Sequence, residues 1–299
     1  MRYPQAEFFT CRTYEELPRS LASVMPSVVL AFKFEPKPFP RETILSCPTL
    51  KWLSVGFAGV DHVVPWDEAR VVVTNAAGVA AREMAHYALA AVFGMFQEFP
   101  SFFRDQTARR WNYHLIRPAR DATIGLVGLG HTGSEIARVF RALGHRVLAC
   151  RARPAPSANV DAVYALDQLN EMLGMVDATI VCTALTPLTR ELFDGARFAA
   201  MKRGSFFVNI SRGAVVQEDA LLQALKDGQL GGAVLDVVRS EPLREDSLLW
   251  DAPNLLITPH TSSEYQGWFR DAALLFADNL GRWLAGKPLL NRVSSERGY

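Results

Sequence analysis

Residues 123–151 run as an apolar stretch, a glycine-spaced turn, an amphipathic stretch and a second apolar stretch, an order that few folds accept. The run opens Thr123-Ile124-Gly125-Leu126-Val127-Gly128-Leu129-Gly130-His131-Thr132-Gly133 and continues through Ser134 to Gly144. It closes with Arg146-Val147-Leu148-Ala149-Cys150-Arg151. Read as strand, turn, helix and strand, this is a unit built to hold a dinucleotide. Gly128 permits the tight turn, and Gly130 lets backbone N–H groups reach a pyrophosphate. Gly133 lets the helix pack close to the strand, and the helix N-terminus favours negative charge. His131 and Thr132 lie in the same turn and join the candidate cofactor contacts; the plainer role for His131 is an ordinary turn residue.

The end of the second strand bears on which dinucleotide. An Asp or Glu about 20 residues beyond the glycines would accept from the ribose 2′-hydroxyl of NAD. This chain has Cys150-Arg151-Ala152-Arg153 there. Two guanidiniums suit a 2′-phosphate, which a carboxylate would repel. The expectation is that NADPH/NADP+ is preferred and NADH is possible. The plainer alternative is that Arg151 and Arg153 are solvated loop charges.

With 299 residues, 49% of them hydrophobic and 21% charged, the chain can bury one large or two medium cores. A formal net charge of +1 draws it neither to nucleic acid nor to an acidic membrane. Cys11, Cys47, Cys150 and Cys182 are scattered, with no CxxC pair and no Cys/His cluster at zinc spacing, so no metal site is expected. That cysteine usage fits a reducing, cytoplasmic setting. Cys150 and Cys182 sit in apolar runs and read as small core residues. Met1 to Glu7 lacks a signal-peptide apolar core, and the apolar stretch 87–96 is too short to span a bilayer.

Upstream of the glycine turn, 28–32, 50–55 and 71–75 read as strands and 82–97 as a long helix. Downstream, strands are expected at 178–182, 205–209, 232–236 and 255–258, with helices between, for example over 218–226. A last helix is expected at about 267–284. Near-continuous apolar strands alternating with helices predict a parallel sheet covered on both faces.

Three further motifs follow the glycine turn in order. They are Ser211-Arg212-Gly213-Ala214-Val215-Val216, then Leu235-Asp236-Val237 through Ser240-Glu241-Pro242-Leu243, then Thr258-Pro259-His260. Together these motifs resemble the D-isomer-specific 2-hydroxyacid dehydrogenases over nearly the whole chain. The compact length and the arginine pair resemble the glyoxylate/hydroxypyruvate reductase branch. The resemblance implies an α/β fold with two domains. One is a Rossmann-type doubly wound parallel sheet domain over 93–265. The other is a smaller flavodoxin-like α/β substrate domain, discontinuous over 1–92 and 266–299, with the active site in the cleft. It also implies a homodimer through the nucleotide domain.

The family's catalytic arginine falls on Arg212. On chemistry alone, an Arg just after the buried run 206–210 sits at a strand carboxyl end, where open α/β sheets bind ligands. A guanidinium there can hold the carboxylate and the keto oxygen of a 2-keto acid together; the plainer role is a surface ion pair. The family's acid/base histidine falls on His260 and its third catalytic residue on Glu241. A carboxylate beside an imidazole favours the imidazolium; the plainer role for Glu241 is a charge preceding Pro242. His62, His86, His114 and His145 have no comparable context.

Other assignments come only from the resemblance. Ala58 and Gly59, in Gly56-Phe57-Ala58-Gly59-Val60-Asp61, match the loop whose backbone amides hold the substrate carboxylate. Thr183, Ala184 and Thr189 match a loop over the cofactor, with Thr183-Ala184 where the family often has Cys-Pro. Asp236 matches the residue that accepts from the nicotinamide carboxamide. Ile210, Ser211, His260 and Ser262 complete the cofactor set. Arg82 departs from the family's Val-Ala-Glu at 81–83. Trp52, Trp111 and Trp268 line a cleft or fill a core or interface.

The expected activity is reduction of a small 2-keto acid such as glyoxylate or hydroxypyruvate, with Arg212 orienting the substrate and His260 giving the proton. A dinucleotide-sensing corepressor or scaffold of the same fold is the rival from another class, which the full Arg/Glu/His set disfavours. Formate or phosphite oxidation would keep the fold but needs no such proton donor.

Overall fold

Short apolar runs build a three-stranded parallel sheet, Val28–Ala31 (β1), Trp52–Val55 (β2) and Val72–Thr74 (β3), in that order. Leu17–Val24 (α1), with a proline in its first turn, precedes β1, and Arg41–Leu45 (α2) connects β1 to β2. The central strand β2 is buried along its whole length, as a parallel strand covered on both faces must be. On one face lie Ile44, Leu50, Leu53, Val63, Val71, Val73 and Val293. Trp52 stacks on Phe276 of the C-terminal helix Trp268–Leu284 at 5.2 Å between ring centres. Its indole N–H donates to Thr74 Oγ1 at 2.9 Å, so the ring's one polar group is satisfied in the core.

The computed structural model describes residues 3–33 and 37–299; Met1 and Arg2, at the head of the stretch read as lacking a signal core, lie outside them. The residues up to Val79, together with Gln266–Tyr299, make one compact unit, and Ala80–Tyr265 make the other.

The second unit carries a seven-stranded, wholly parallel sheet. Its strands are Thr123–Val127 (β4), Arg146–Cys150 (β5), Ala162–Tyr164 (β6), Ala178–Val181 (β7), Ser205–Asn209 (β8), Leu230–Leu235 (β9) and Leu255–Ile257 (β10). The spatial order is β10-β9-β8-β7-β4-β5-β6. The winding reverses between β4 and β7, the crevice at which doubly wound sheets bind ligands. Helices Ala81–Phe96 (α3), Phe99–Thr107 (α4) and His131–Ala142 (α5) precede or follow β4, and Leu169–Leu173 (α6), Gly195–Ala200 (α7) and Glu218–Lys226 (α8) come later. One face of the sheet packs Leu148, Leu173, Phe193, Phe198, Phe207 and Leu221. The other packs Ile124, Val147 and Phe206 with Ala85, Ala88 and Val92 of α3 and Ile136 and Phe140 of α5. This is the parallel sheet covered on both faces expected from the alternation of apolar runs and helices, in the Rossmann-type α/β architecture that the family resemblance implies.

The structure corrects one boundary. A division at 92/93 would cut α3 in two. Its buried face, Ala85, Ala88, Val92, Met95 and Phe96, belongs wholly to the core shared with α5, so the helix stays with the second unit and the division falls at Val79/Ala80. Burial pushes the Cys150 thiol up to about 11 and the Cys182 thiol up to about 12, so both stay protonated. Among the described residues no helix is long and apolar enough to cross a membrane.

Candidate active site

The carboxyl edge of the seven-stranded sheet collects most of the expected site residues. Gly128 follows β4, Arg151 follows β5, Thr183 lies beyond β7, Arg212 beyond β8, Asp236 directly after β9 and His260 beyond β10. Parallel strands all end on one edge, so six loops distant in sequence present their side chains together.

At the glycine turn the backbone leaves no choice of residue. Gly128 has φ +107, and a Cβ on Gly133 would lie 2.3 Å from Gly128 O. Gly130 is different: a Cβ there would meet nothing within 4 Å, so its Cα faces open space at the head of α5. No side chain caps that helix, which leaves the first-turn N–H groups of residues 131–133 directed at that space. A pyrophosphate has the charge and the acceptors to fill it. His131 is exposed and Thr132 half-buried at this end.

Arg151 and Arg153 follow β5, on the same carboxyl edge of the sheet as the glycine turn. Among the described residues neither guanidinium has an ion-pair partner. Arg151 N–H donates to Tyr164 O at 3.1 Å, which fixes the start of the loop.

Glu241 and His260 meet directly. Glu241 Oε2 and His260 Nδ1 are 2.8 Å apart, and the other carboxylate oxygen accepts the Val238 N–H at 3.2 Å. Burial alone would raise the Glu241 carboxyl. The hydrogen bond and charge of His260, the Val238 N–H and the charge of Arg212 outweigh it and hold that carboxyl below its ordinary range. An ionised carboxylate only accepts, so the proton of that contact sits on Nδ1, and Nε2 takes no part in it. His260 adopts φ +55, an uncommon conformation for a residue with a side chain.

Buried polar groups fix that conformation. Asp236 is 1% exposed and its carboxylate is committed to the His260 loop. Oδ1 accepts from Thr261 N at 2.8 Å and from Thr258 Oγ1 at 2.6 Å, and Oδ2 accepts from Ser262 N at 3.0 Å. The His260 N–H donates to Asp236 O at 2.8 Å. Tyr87 of α3 lies 2.6 Å from Thr258 Oγ1; the threonine's one hydroxyl proton goes to Asp236, so the tyrosine is the donor. Burial first, and the Asp236 charge with it, push the Tyr87 phenol up to about 12 against the opposing effect of the Thr258 contact, so it keeps its proton.

Asn209, the last residue of β8, does the same for the neighbouring loop. Its Oδ1 accepts from Ser211 N at 3.0 Å and Ser211 Oγ at 2.7 Å, and its Nδ2 donates to Arg212 O at 3.1 Å. Arg212 Nη1 donates to Ser211 O at 2.8 Å. Gly213 is jammed against the Glu241 loop, since a Cβ there would lie 1.9 Å from Val238 C. Ile210 and Ser262 are buried beneath these loops. Thr183 is half-buried and Ala184 exposed; the Thr189 hydroxyl donates to Ala184 O at 2.7 Å and accepts from Thr186 N at 2.8 Å, so it ties its own loop.

In the first unit the loop Gly56–Gly59 follows β2. The carbonyls of Phe57 and Ala58 accept from Ala76 N at 2.9 Å and Asn75 Nδ2 at 2.6 Å, which turns the loop's acceptors into the unit. Trp52 lies in the core, Trp268 is buried beside this loop, and Trp111 in the second unit is fully exposed. Sequence reasoning missed Asn209, Tyr87 and the Thr258 hydroxyl. The one local signal was a polar Asn closing an otherwise apolar strand.

Comparison with known proteins identifies the family. The sequence model of the D-isomer specific 2-hydroxyacid dehydrogenases, NAD binding domain, matches residues 89–262. Glycerate dehydrogenase of Methylorubrum extorquens is 31% identical over 84% of this chain and 81% of its own. The D-isomer specific 2-hydroxyacid dehydrogenase of Xanthobacter autotrophicus Py2, solved with NADPH and MES, superposes with a TM-score of 0.82 at 31% identity and covers 98% of both chains. An NADPH-dependent glyoxylate/hydroxypyruvate reductase of Sinorhizobium meliloti, solved with NADP and sulfate, has a TM-score of 0.80 at 28% identity over 90% of this chain and 86% of its own. The chain therefore belongs to the D-isomer specific 2-hydroxyacid dehydrogenase family, and it is an oxidoreductase built around a nicotinamide dinucleotide.

Proposed function

We propose that the protein is an NADPH-preferring reductase of 2-keto acids, with glyoxylate and hydroxypyruvate as the first substrates to assay, and that His260 is the proton donor. The observation that carries the reaction is the 2.8 Å contact of His260 Nδ1 with the ionised Glu241. It keeps a proton available on Nε2 while the carbonyl oxygen gains charge. Arg212, held by Asn209, orients the substrate and stabilises the developing oxyanion with a planar pair of donors. The backbone amides of Ala58 and Gly59 take the substrate carboxylate. The bound dinucleotide supplies the hydride. Thr183 and Ala184 lie over it, and Asp236 adds the carboxamide contact to its work on the loop. The protein works in the cytoplasm.

The cofactor preference rests on Arg151 and Arg153. A 2′-phosphate there takes charge-assisted hydrogen bonds, each worth roughly 1.5–3 kcal/mol, whereas NADH offers a neutral hydroxyl. The test is kcat/KM with both cofactors at one salt concentration, for wild type and Arg151→Asp. Wild type is expected to favour NADPH, and the variant to move toward NADH by tenfold or more. Wild type favouring NADH, or a variant whose preference stays put, means the phosphate binds elsewhere.

A further inference from the structure

Four aromatic rings stand at the carboxyl edge of the three-stranded sheet, and the chemistry above uses none of them. Phe32 directly follows β1 and Phe57 follows Gly56 at the end of β2. The two strands are parallel neighbours, so both residues leave the sheet at the edge where open α/β sheets take ligands. Trp268 and Phe269, at the start of the C-terminal helix, complete the group. Ring centres are 4.7 Å apart for Phe57–Trp268, 5.8 Å for Phe32–Trp268, 5.3 Å for Phe32–Phe269 and 4.7 Å for Trp268–Phe269.

The rings lie on the loop assigned to the substrate carboxylate. A Cβ on Gly56 would fall 2.2 Å from Phe32 Cδ1, so the Phe32 ring rests against the Gly56 backbone, and Phe57 immediately precedes Ala58. The group is not closed core. Trp268 is buried, but Phe32 and Phe57 are half-buried and Phe269 is 56% exposed. Ring surface left open beside a polar anchoring loop is the make-up of a small-molecule site, mostly apolar with a few placed polar groups.

We propose that these rings form the subsite for the substrate's side chain, and that the preferred substrates are 2-keto acids with an apolar side chain, aliphatic or aromatic. This rests on the reading of the protein as a 2-keto acid reductase whose Ala58 and Gly59 amides hold the carboxylate. The side chain of such an acid begins two carbons beyond the carboxylate, within reach of rings flanking the same loop. Glyoxylate has no side chain to lay against them, and hydroxypyruvate brings a hydroxyl to surfaces that are mostly hydrocarbon.

The test is kcat/KM for glyoxylate, hydroxypyruvate, 4-methyl-2-oxopentanoate and phenylpyruvate, with NADPH and with NADH, for wild type, Phe269→Ala and Phe57→Leu. Phe269 is exposed, so its truncation leaves the core closed; melting curves verify that both variants fold. Wild type is expected to favour the two apolar acids over glyoxylate by about tenfold or more. Phe269→Ala is expected to cut that ratio by about tenfold, mainly through KM. A wild type that prefers glyoxylate or hydroxypyruvate, or a ratio that neither variant moves, overturns the proposal and leaves the reductase reading intact. Turnover of none of the four acids with either cofactor removes the reductase reading, and this proposal with it.

Discussion

In the proposed reaction Arg212, Glu241 and His260 divide the chemistry by the kind of group each supplies. Arginine brings two parallel donors in a plane, which a point charge cannot reproduce. Arg212→Lys is therefore expected to fold normally and lose at least about 100-fold in kcat/KM, read by steady-state kinetics beside a melting curve. A folded lysine variant with near-wild-type turnover would remove Arg212 from the reaction. Glu241 is ionised near neutral pH, because its neighbours hold the carboxyl below its ordinary range against the opposing pull of burial. Its carboxylate beside Nδ1 can only accept, so it fixes the ring's tautomer and orientation. Glu241→Gln takes the charge away and keeps the size. A carboxamide can turn either its oxygen or its NH2 toward Nδ1, so the ring tautomer is no longer fixed and kcat is expected to fall by about tenfold or more with KM little changed. Steady-state kinetics beside a melting curve check this; an unchanged kcat in the folded variant would leave Glu241 a purely structural role.

Loops at strand ends decide whether those residues meet, and each loop is held by a buried polar group one step inside it. Tyr87 donates to Thr258, Thr258 donates to Asp236, and Asp236 gathers the N–H groups of Thr261 and Ser262 around His260 at φ +55. Tyr87→Phe removes one donor and no volume. It is expected to cost about 1 kcal/mol of stability, the worth of one hydrogen bond. It should also lower kcat several-fold with KM little changed, since the loop that aims the histidine loses a support; melting and initial-rate measurements read the two effects separately. How much of this was legible in the sequence follows from range. Strands β4 and β8 and the glycine turn announce themselves within a few residues, because burial on both faces and a tight turn each demand particular neighbours. The Tyr87–Thr258 contact spans 171 residues and leaves no local pattern, so Tyr87 reads simply as one more apolar position on α3. Thr189 and Ser211 stand in the expected loops, yet their hydroxyls bond inside those loops, a choice made by backbone geometry that residue type does not encode. The same blindness misplaced the division at 92/93, since α3 is apolar enough to suit either core.

At the scale of the whole molecule, the second unit carries an apolar strip that its own fold does not cover. Beyond α4, residues 110–119 have no helix or strand, yet they are pinned from inside. Arg110 N–H donates to Asp105 O at 2.8 Å, His114 Nε2 lies 2.7 Å from Asp105 Oδ2, and Arg117 N–H donates to Phe96 O at 3.1 Å while its guanidinium sits 4.8 Å from the Phe206 ring centre. Held in this way, the segment turns Trp111, Tyr113 and Leu115 outward with Phe99 and Phe103 of α4 exposed beside it, Trp111 being 103% exposed. A pinned loop with large apolar side chains facing water marks an interface rather than a flexible linker. A second copy of the chain is the expected occupant, giving a dimer through the nucleotide-binding unit. Light scattering behind size exclusion should give twice the 33.2 kDa chain mass at micromolar concentration. Trp111→Arg together with Leu115→Arg puts two charges into that contact, where burial without a partner costs several kcal/mol. The double variant should run as a folded monomer, with its far-UV spectrum unchanged because neither side chain supports the core. A wild type that stays monomeric at high concentration, or a double variant that remains dimeric, would mean that the exposed strip serves some other contact.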